Sequence, residues 1–146
     1  KKNAFEYRIT SPLKSQTEYQ IQVVADIFDT HENPVTTEAD TGFTTGSLAI
    51  IYYYPNPQVN LKDTYPIIQV RFNTVMDKQA AEDAFSLTDG VIEIPGEFVW
   101  FTDKALQYFP DSDLTAGETY TFTVTTSAAD TYGAALEEEF SYSFTL

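Results

Sequence analysis

Cysteine is absent from the 146 residues, so no disulfide framework and no thiolate metal site can be built. That leaves the redox compartment open. Histidine occurs once, as His31 between Thr30 and the polar pair Glu32-Asn33. With no second histidine and no cysteine to partner it, His31 reads as an exposed turn residue. Lysine and arginine number eight against 22 aspartates and glutamates, a net charge of −14. Phosphates need cationic side chains, so this balance excludes nucleic acid as a partner. The same acidity keeps an exposed surface soluble, and cation binding is the sharper alternative. No apolar run approaches the ~20 residues that span a bilayer. Neither a glycine-rich phosphate loop nor paired zinc-ligand spacing occurs. No secretory leader opens the chain, because Lys1-Lys2-Asn3 runs straight into a strand pattern; if the native protein is exported, this is an internal piece of it.

What is abundant is ring and β-branched side chain. Ten tyrosines, eleven phenylalanines and one tryptophan supply large buried areas, and the Thr, Val, Ile and aromatic bias favours strands. The organising stretch is Leu114-Thr-Ala-Gly-Glu-Thr-Tyr120-Thr-Phe-Thr-Val124. Tyr120, Phe122 and Val124 alternate with threonines, the period of a strand with one buried face. Leu114, Gly117 and Tyr120 have the spacing of a tyrosine corner, in which the hydroxyl turns back onto upstream backbone.

The phrase occurs twice. Leu13-Lys-Ser-Gln-Thr-Glu-Tyr19 precedes Ile21 and Val23, and a shift of 101 residues without a gap lays it on the later copy. Leu13, Tyr19, Val23, Asp29, Thr30, Glu38, Phe43 and Thr44 fall on identical residues over 33 positions. Ile21 falls on Phe122, Val35 on Leu136, and upstream Tyr7 falls on Tyr108. The expected organisation is therefore the C-terminal part of one repeat over 1–46, a boundary at Gly46-Ser47, and a complete repeat over 47–146.

Strands are expected over 4–9, 19–24, 48–54 and 68–72, then 85–87, 91–94, 97–101, 105–109, 120–126 and 140–145. One short helical turn, capped by Asp77, is expected near 77–84. Pro95-Gly96 and Asp130-Thr131-Tyr132-Gly133 are turn signals. Seven or eight short strands in ~100 residues describe an all-β, Ig-like antiparallel sandwich.

These residues resemble the bacterial immunoglobulin-like domains of the surface-layer type, the fifth group of that clan. The resemblance covers the second repeat almost end to end. It is carried by Tyr54-Pro55-Asn56, Phe72-Asn73-Thr74-Val75-Met76-Asp77, Leu106-Gln107-Tyr108-Phe109-Pro110 with Leu114, Gly117-Glu118-Thr119-Tyr120, Asp130-Thr131-Tyr132-Gly133 and Phe144-Thr145. Val75 stands where proline is usual, Ala134 where asparagine is usual, and Gln16 replaces the glycine in the first copy. The resemblance implies a tandem module of exported or cell-surface bacterial proteins, serving as spacer or adhesive stalk. It implies no catalytic residue and no cofactor.

Other residues invite sharper readings. Asp111 with Asp113, and Asp26 with Asp29, could offer oxygens to calcium, but no Asp-x-Asp-x-Asp-Gly loop supplies the six to eight that calcium takes. Solvated loop carboxylates are the default. Glu137-Glu138-Glu139 reads as a solvated turn that discourages edge pairing. Tyr52-Tyr53-Tyr54 could form a glycan platform or an inter-repeat contact, although alternation sends at least one ring inward. Trp100 is expected to be the buried tryptophan of the sandwich. Residues 1–46 alone bury too little to be stable, so their partners are expected to be neighbouring repeats or another copy of the chain.

Overall fold

A computed structural model describes residues 6–22, 28–34, 41–57 and 66–146. The chain divides into two compact units, Lys1–Gly46 and Ser47–Leu146.

In the first unit, β1 (Glu18–Ile21) and β2 (Thr41–Thr44) form an antiparallel pair in the register Tyr19↔Phe43 and Ile21↔Thr41. Phe28 and Pro34 make an isolated bridge that closes the turn at Asp29. The strand expected over 4–9 is not formed in its described part: residues 6–9 are irregular. A strand needs neighbours to satisfy its N–H and C=O groups, and none of the described strands of this unit lies beside them. Val23, Asp26, Val35 and Glu38 lie outside the described residues.

The second unit is built from β3 (Ile50–Tyr54), β4 (Ile68–Phe72), α1 (Lys78–Asp83), β5 (Phe85–Thr88), β6 (Gly96–Thr102), β7 (Ala105–Pro110), β8 (Thr119–Val124) and β9 (Phe140–Thr145). One antiparallel sheet has the order β3-β4-β7-β6 and the other β5-β8-β9. Alternation fixes what each sheet hides. Ile68, Val70 and Phe72 from β4 and Leu106 and Tyr108 from β7 meet Leu87, Tyr120, Phe122, Val124 and Phe144 from the opposite sheet. Phe122 is at the centre, with ring centroids 6.2 Å from both Tyr53 and Phe85. Burying one such ring stabilises by about 2–3 kcal/mol. The sandwich is thus a two-layer, all-β domain with one short helix, as the pattern predicts.

The phrase from Phe72 to Asp77 carries the chain between layers. Met76 is buried and donates its N–H to the Asp103 carbonyl, while it bridges to Asp130 on the other side. Asp77 then caps α1, its carboxylate accepting from the Ala80 N–H at 3.2 Å. Ala81 and Ala84 are small enough to seat this turn against the core.

One expected strand is corrected. Residues 91–94 do not form one; only Glu93 bridges, to Thr88. The Asp89 carboxylate accepts from the Val91 and Ile92 N–H groups, each at 2.8 Å, which curls the segment into a turn. Those two donors hold the Asp89 carboxyl below its usual range. Side-chain to backbone bonding of this kind competes with a ladder.

Outside the core, β8 and β9 are stitched by neutral side chains. Thr119 pairs with Thr145 and Thr121 with Ser143 at 2.8 Å, and Thr123 with Ser141 at 3.3 Å. These rows face solvent, because the alternate positions are in the core.

Candidate functional site

The tyrosine corner is formed at Tyr120. Its hydroxyl accepts the Thr115 N–H at 2.9 Å, with Leu114 and the ring itself buried. Gly117 sits at φ +87, a left-handed conformation that costs an L side chain about 1–2 kcal/mol. Its N–H donates to the Leu146 carbonyl at 2.9 Å, and Leu146 donates back to Glu118. The corner therefore ties the entry of β8 to the end of β9.

The same geometry recurs 101 residues earlier. The Lys14 N–H donates to the Tyr19 hydroxyl at 2.9 Å, Gln16 takes the left-handed position at φ 50, and Thr45 donates to Thr17. Tyr19 and Phe43 lie 5.6 Å apart, as Tyr120 and Phe144 lie 6.0 Å apart. The register Glu18↔Thr44 corresponds to Thr119↔Thr145 at the same shift. Leu13 is half-buried where Leu114 is enclosed.

A second shared device is an aspartate turn. Asp130 is 1% exposed, and its carboxylate accepts the Tyr132 and Ala134 N–H groups, both at 2.9 Å. Asp29 does the same for His31 and Asn33, at 2.8 and 2.9 Å. Gly133 takes φ +84 where Glu32 takes φ +63. The Asn33 side-chain amide bonds the second Asp29 oxygen at 3.0 Å. That bond, with the two backbone donors, holds the Asp29 carboxyl below its usual range. The sequence marked this turn but not the burial of Asp130. The signal was there, since Asp29-Thr30 and Asp130-Thr131 are two of the identities.

The calcium candidates are not brought together. Asp29 is occupied as a turn cap, and Asp26 lies outside the described residues. Asp111 and Asp113 are exposed loop residues, and among the described residues no three His, Asp or Glu side chains converge. The three consecutive tyrosines separate as alternation requires. Tyr53 points inward, 5.0 Å from Phe140 and 4.9 Å from Tyr142. Tyr52 and Tyr54 pair with Arg71 and Gln69 on the other face of the sheet.

Trp100 departs from expectation. It is half-buried at the edge of the core, because its Nε1–H reaches the Glu82 carboxylate of α1 at 2.7 Å. Lys78 Nζ sits 5.7 Å from its ring centroid and 2.9 Å from Asp103. An indole with a donor to satisfy settles where that donor meets a partner. Tyr108 is the deeper polar ring: its hydroxyl donates to the Ile94 carbonyl at 2.6 Å. Burial, then the charges of Asp111 and Glu93, push its pKa up to about 12.

A solved structure of surface layer protein SbsC, domains 1–6, is similar at 20% identity with a TM-score of 0.49. The match covers 68% of this chain, and the chain spans 14% of that protein's length. No match is found among curated proteins. The profile of the bacterial Ig-like domain matches residues 49–146. With two facing antiparallel sheets, a formed tyrosine corner and that match, the chain belongs to the bacterial Ig-like domain family.

Proposed function

We propose that the chain is a non-catalytic structural module, a spacer or adhesive stalk element, of a bacterial cell-surface or secreted multidomain protein. In this reading residues 47–146 are one complete Ig-like domain and residues 1–46 are the C-terminal part of a preceding copy. The observation that carries it is the recurrence, at one fixed shift of 101 residues, of a corner, a strand register and an aspartate turn. Repeating units of this kind act by holding distance and direction between other parts of a protein. The polar atoms described above are spent on the fold itself. Asp29, Asp130, Tyr19, Tyr120 and Trp100 each hold a backbone or side-chain partner within their own unit.

The test is thermal unfolding with and without millimolar calcium, together with glycan-array binding of the whole chain. The spacer reading expects an unchanged midpoint and no glycan retained. A calcium-dependent rise, or a glycan lost on Tyr52→Ala, would replace it with a ligand-binding accessory module of a surface enzyme or adhesin.

A further inference from the structure

The two sheets of the second unit leave an open cleft between their β5 and β6 edges, lined by Glu82, Asp83, Phe85, Glu93 and Phe98. Along β5 the chain itself returns, with Ile94 donating to the Leu87 carbonyl at 2.7 Å and Glu93 bridging to Thr88. β6 has β7 on one side and, among the described strands, none on the other. The Asp111 N–H donates to the Pro95 carbonyl, so this pair begins the ladder as a hydrogen-bonded one. From there antiparallel alternation turns the N–H and C=O groups of Gly96, Phe98 and Trp100 away from β7, toward the open side. The register shift of β6 falls between Trp100 and Thr102, so the edge is regular from Gly96 to Trp100. Its two faces differ. Phe98 and Trp100 pack on the core side, where the cleft sets rings beneath three carboxylates. Lys78, over the Trp100 ring, is paired with Asp103 at 2.9 Å and does not neutralise them. Val99 and Phe101, by contrast, are 46% and 74% exposed.

We propose that the β6 edge is a docking site for an extended segment of another protein in which cationic and apolar side chains alternate. Main-chain bonds to Gly96, Phe98 and Trp100 add that segment to the β3-β4-β7-β6 sheet as one more strand. Side chains of a strand alternate between faces, so the two rows of the guest meet different surroundings. Its cationic row lies on the core side, aliphatic stems against the Phe98 ring and charged heads at Glu82, Asp83 and Glu93. Its apolar row continues the exposed Val99 and Phe101. Charge complementarity selects this occupant over a second copy of the chain. Each copy carries a net charge of −14, so two copies repel. The eight lysines and arginines also include no two that are two positions apart, so no strand of this chain presents a cationic row.

The experiment adds end-blocked peptides of roughly nine residues, the length of one strand, to the whole chain. Binding is followed by calorimetry, amide hydrogen exchange and solution mass. A peptide of alternating lysine and valine should bind at least about tenfold more tightly than one of alternating glutamate and valine, or than the same lysines and valines arranged in two blocks. In the saturated complex the Gly96 and Phe98 amides should exchange at least about tenfold more slowly than in the free chain. Asp83 and Glu93 are exposed, so Asp83→Asn with Glu93→Gln should leave the melting midpoint in place and weaken the alternating peptide about tenfold. Equal binding of the block peptide would mean attraction by bulk charge alone and would overturn the proposal. So would absence of binding, binding untouched by the double substitution, or protection at an edge other than β6. A peptide-free chain that is dimeric with Gly96 and Phe98 already protected would assign the edge to a second copy and likewise overturn it. None of these outcomes depends on calcium or glycan binding, so the spacer reading and this inference fail separately.

Discussion

The two units carry nearly the same instructions for one corner and one turn, yet they hide very different amounts of surface. In the second, Tyr120, Phe122, Val124 and Phe144 are enclosed by the opposing sheet. In the first, Tyr19, Ile21 and Phe43 keep register and ring contact with that side open. Local geometry is thus separable from burial. Turn chemistry, a left-handed residue and a tyrosine hydroxyl suffice to set a corner, but the hydrophobic stabilisation depends on a second layer.

The comparison breaks most sharply at its centre. Phe122→Ala should cost about 3–5 kcal/mol in urea unfolding followed by Trp100 emission, because it opens a cavity among the rings of Tyr53, Phe85, Phe140 and Tyr142. Ile21→Ala at the matching position should cost under ~0.5 kcal/mol in the same chain, the range of exposed sites. Equal losses would mean that both units share one cooperative core. Tyr120→Phe removes the acceptor of the Thr115 N–H and should cost about 1–3 kcal/mol. Tyr19→Phe should cost well under that, measured by the exchange rate of the Lys14 amide. The left-handed position gives opposite signs: Gly117→Ala destabilises by about 1–2 kcal/mol, and Gln16→Gly is neutral or stabilising, since only glycine takes that conformation without strain.

A further difference is a pH slope confined to the second unit. Tyr108 is held protonated to about 12, above the ordinary tyrosine value of 10.0. Protons therefore stay on the folded form longer than on the unfolded one. The stability it contributes is complete below pH 10 and is lost as pH rises from 10 to 12. Melting midpoints across that window should fall in the natural protein and fall less in Tyr108→Phe.

The sequence made the sandwich legible because its strands alternate cleanly and its turns carry named residues. The 101-residue shift by itself locates both corners and both aspartate turns. Three things were not legible, each for a tertiary reason. Residues 91–94 have strand-forming side chains, but one carboxylate at Asp89 claims the amides of Val91 and Ile92. Trp100 is drawn to the rim by Glu82, eighteen residues away and on another element. Gly96 looked like half of a turn. In the fold it opens β6 where a Cβ would meet the Phe109 carbonyl and, at 2.7 Å, the Tyr108 ring. Alternation required at least one of Tyr52, Tyr53 and Tyr54 to turn inward, but it could not say that the ring against Phe140 and Tyr142 is that of Tyr53.

The rows of hydroxyls along β8 and β9 bear on where such a module can serve. Each pair is uncharged and internally satisfied, unlike the exposed ion pairs Arg8–Glu6 and Lys78–Asp103. Salt screens charges and leaves neutral contacts largely untouched. That seam should therefore hold about as firmly in brine as in fresh water, a useful property for anything that faces a fluctuating medium.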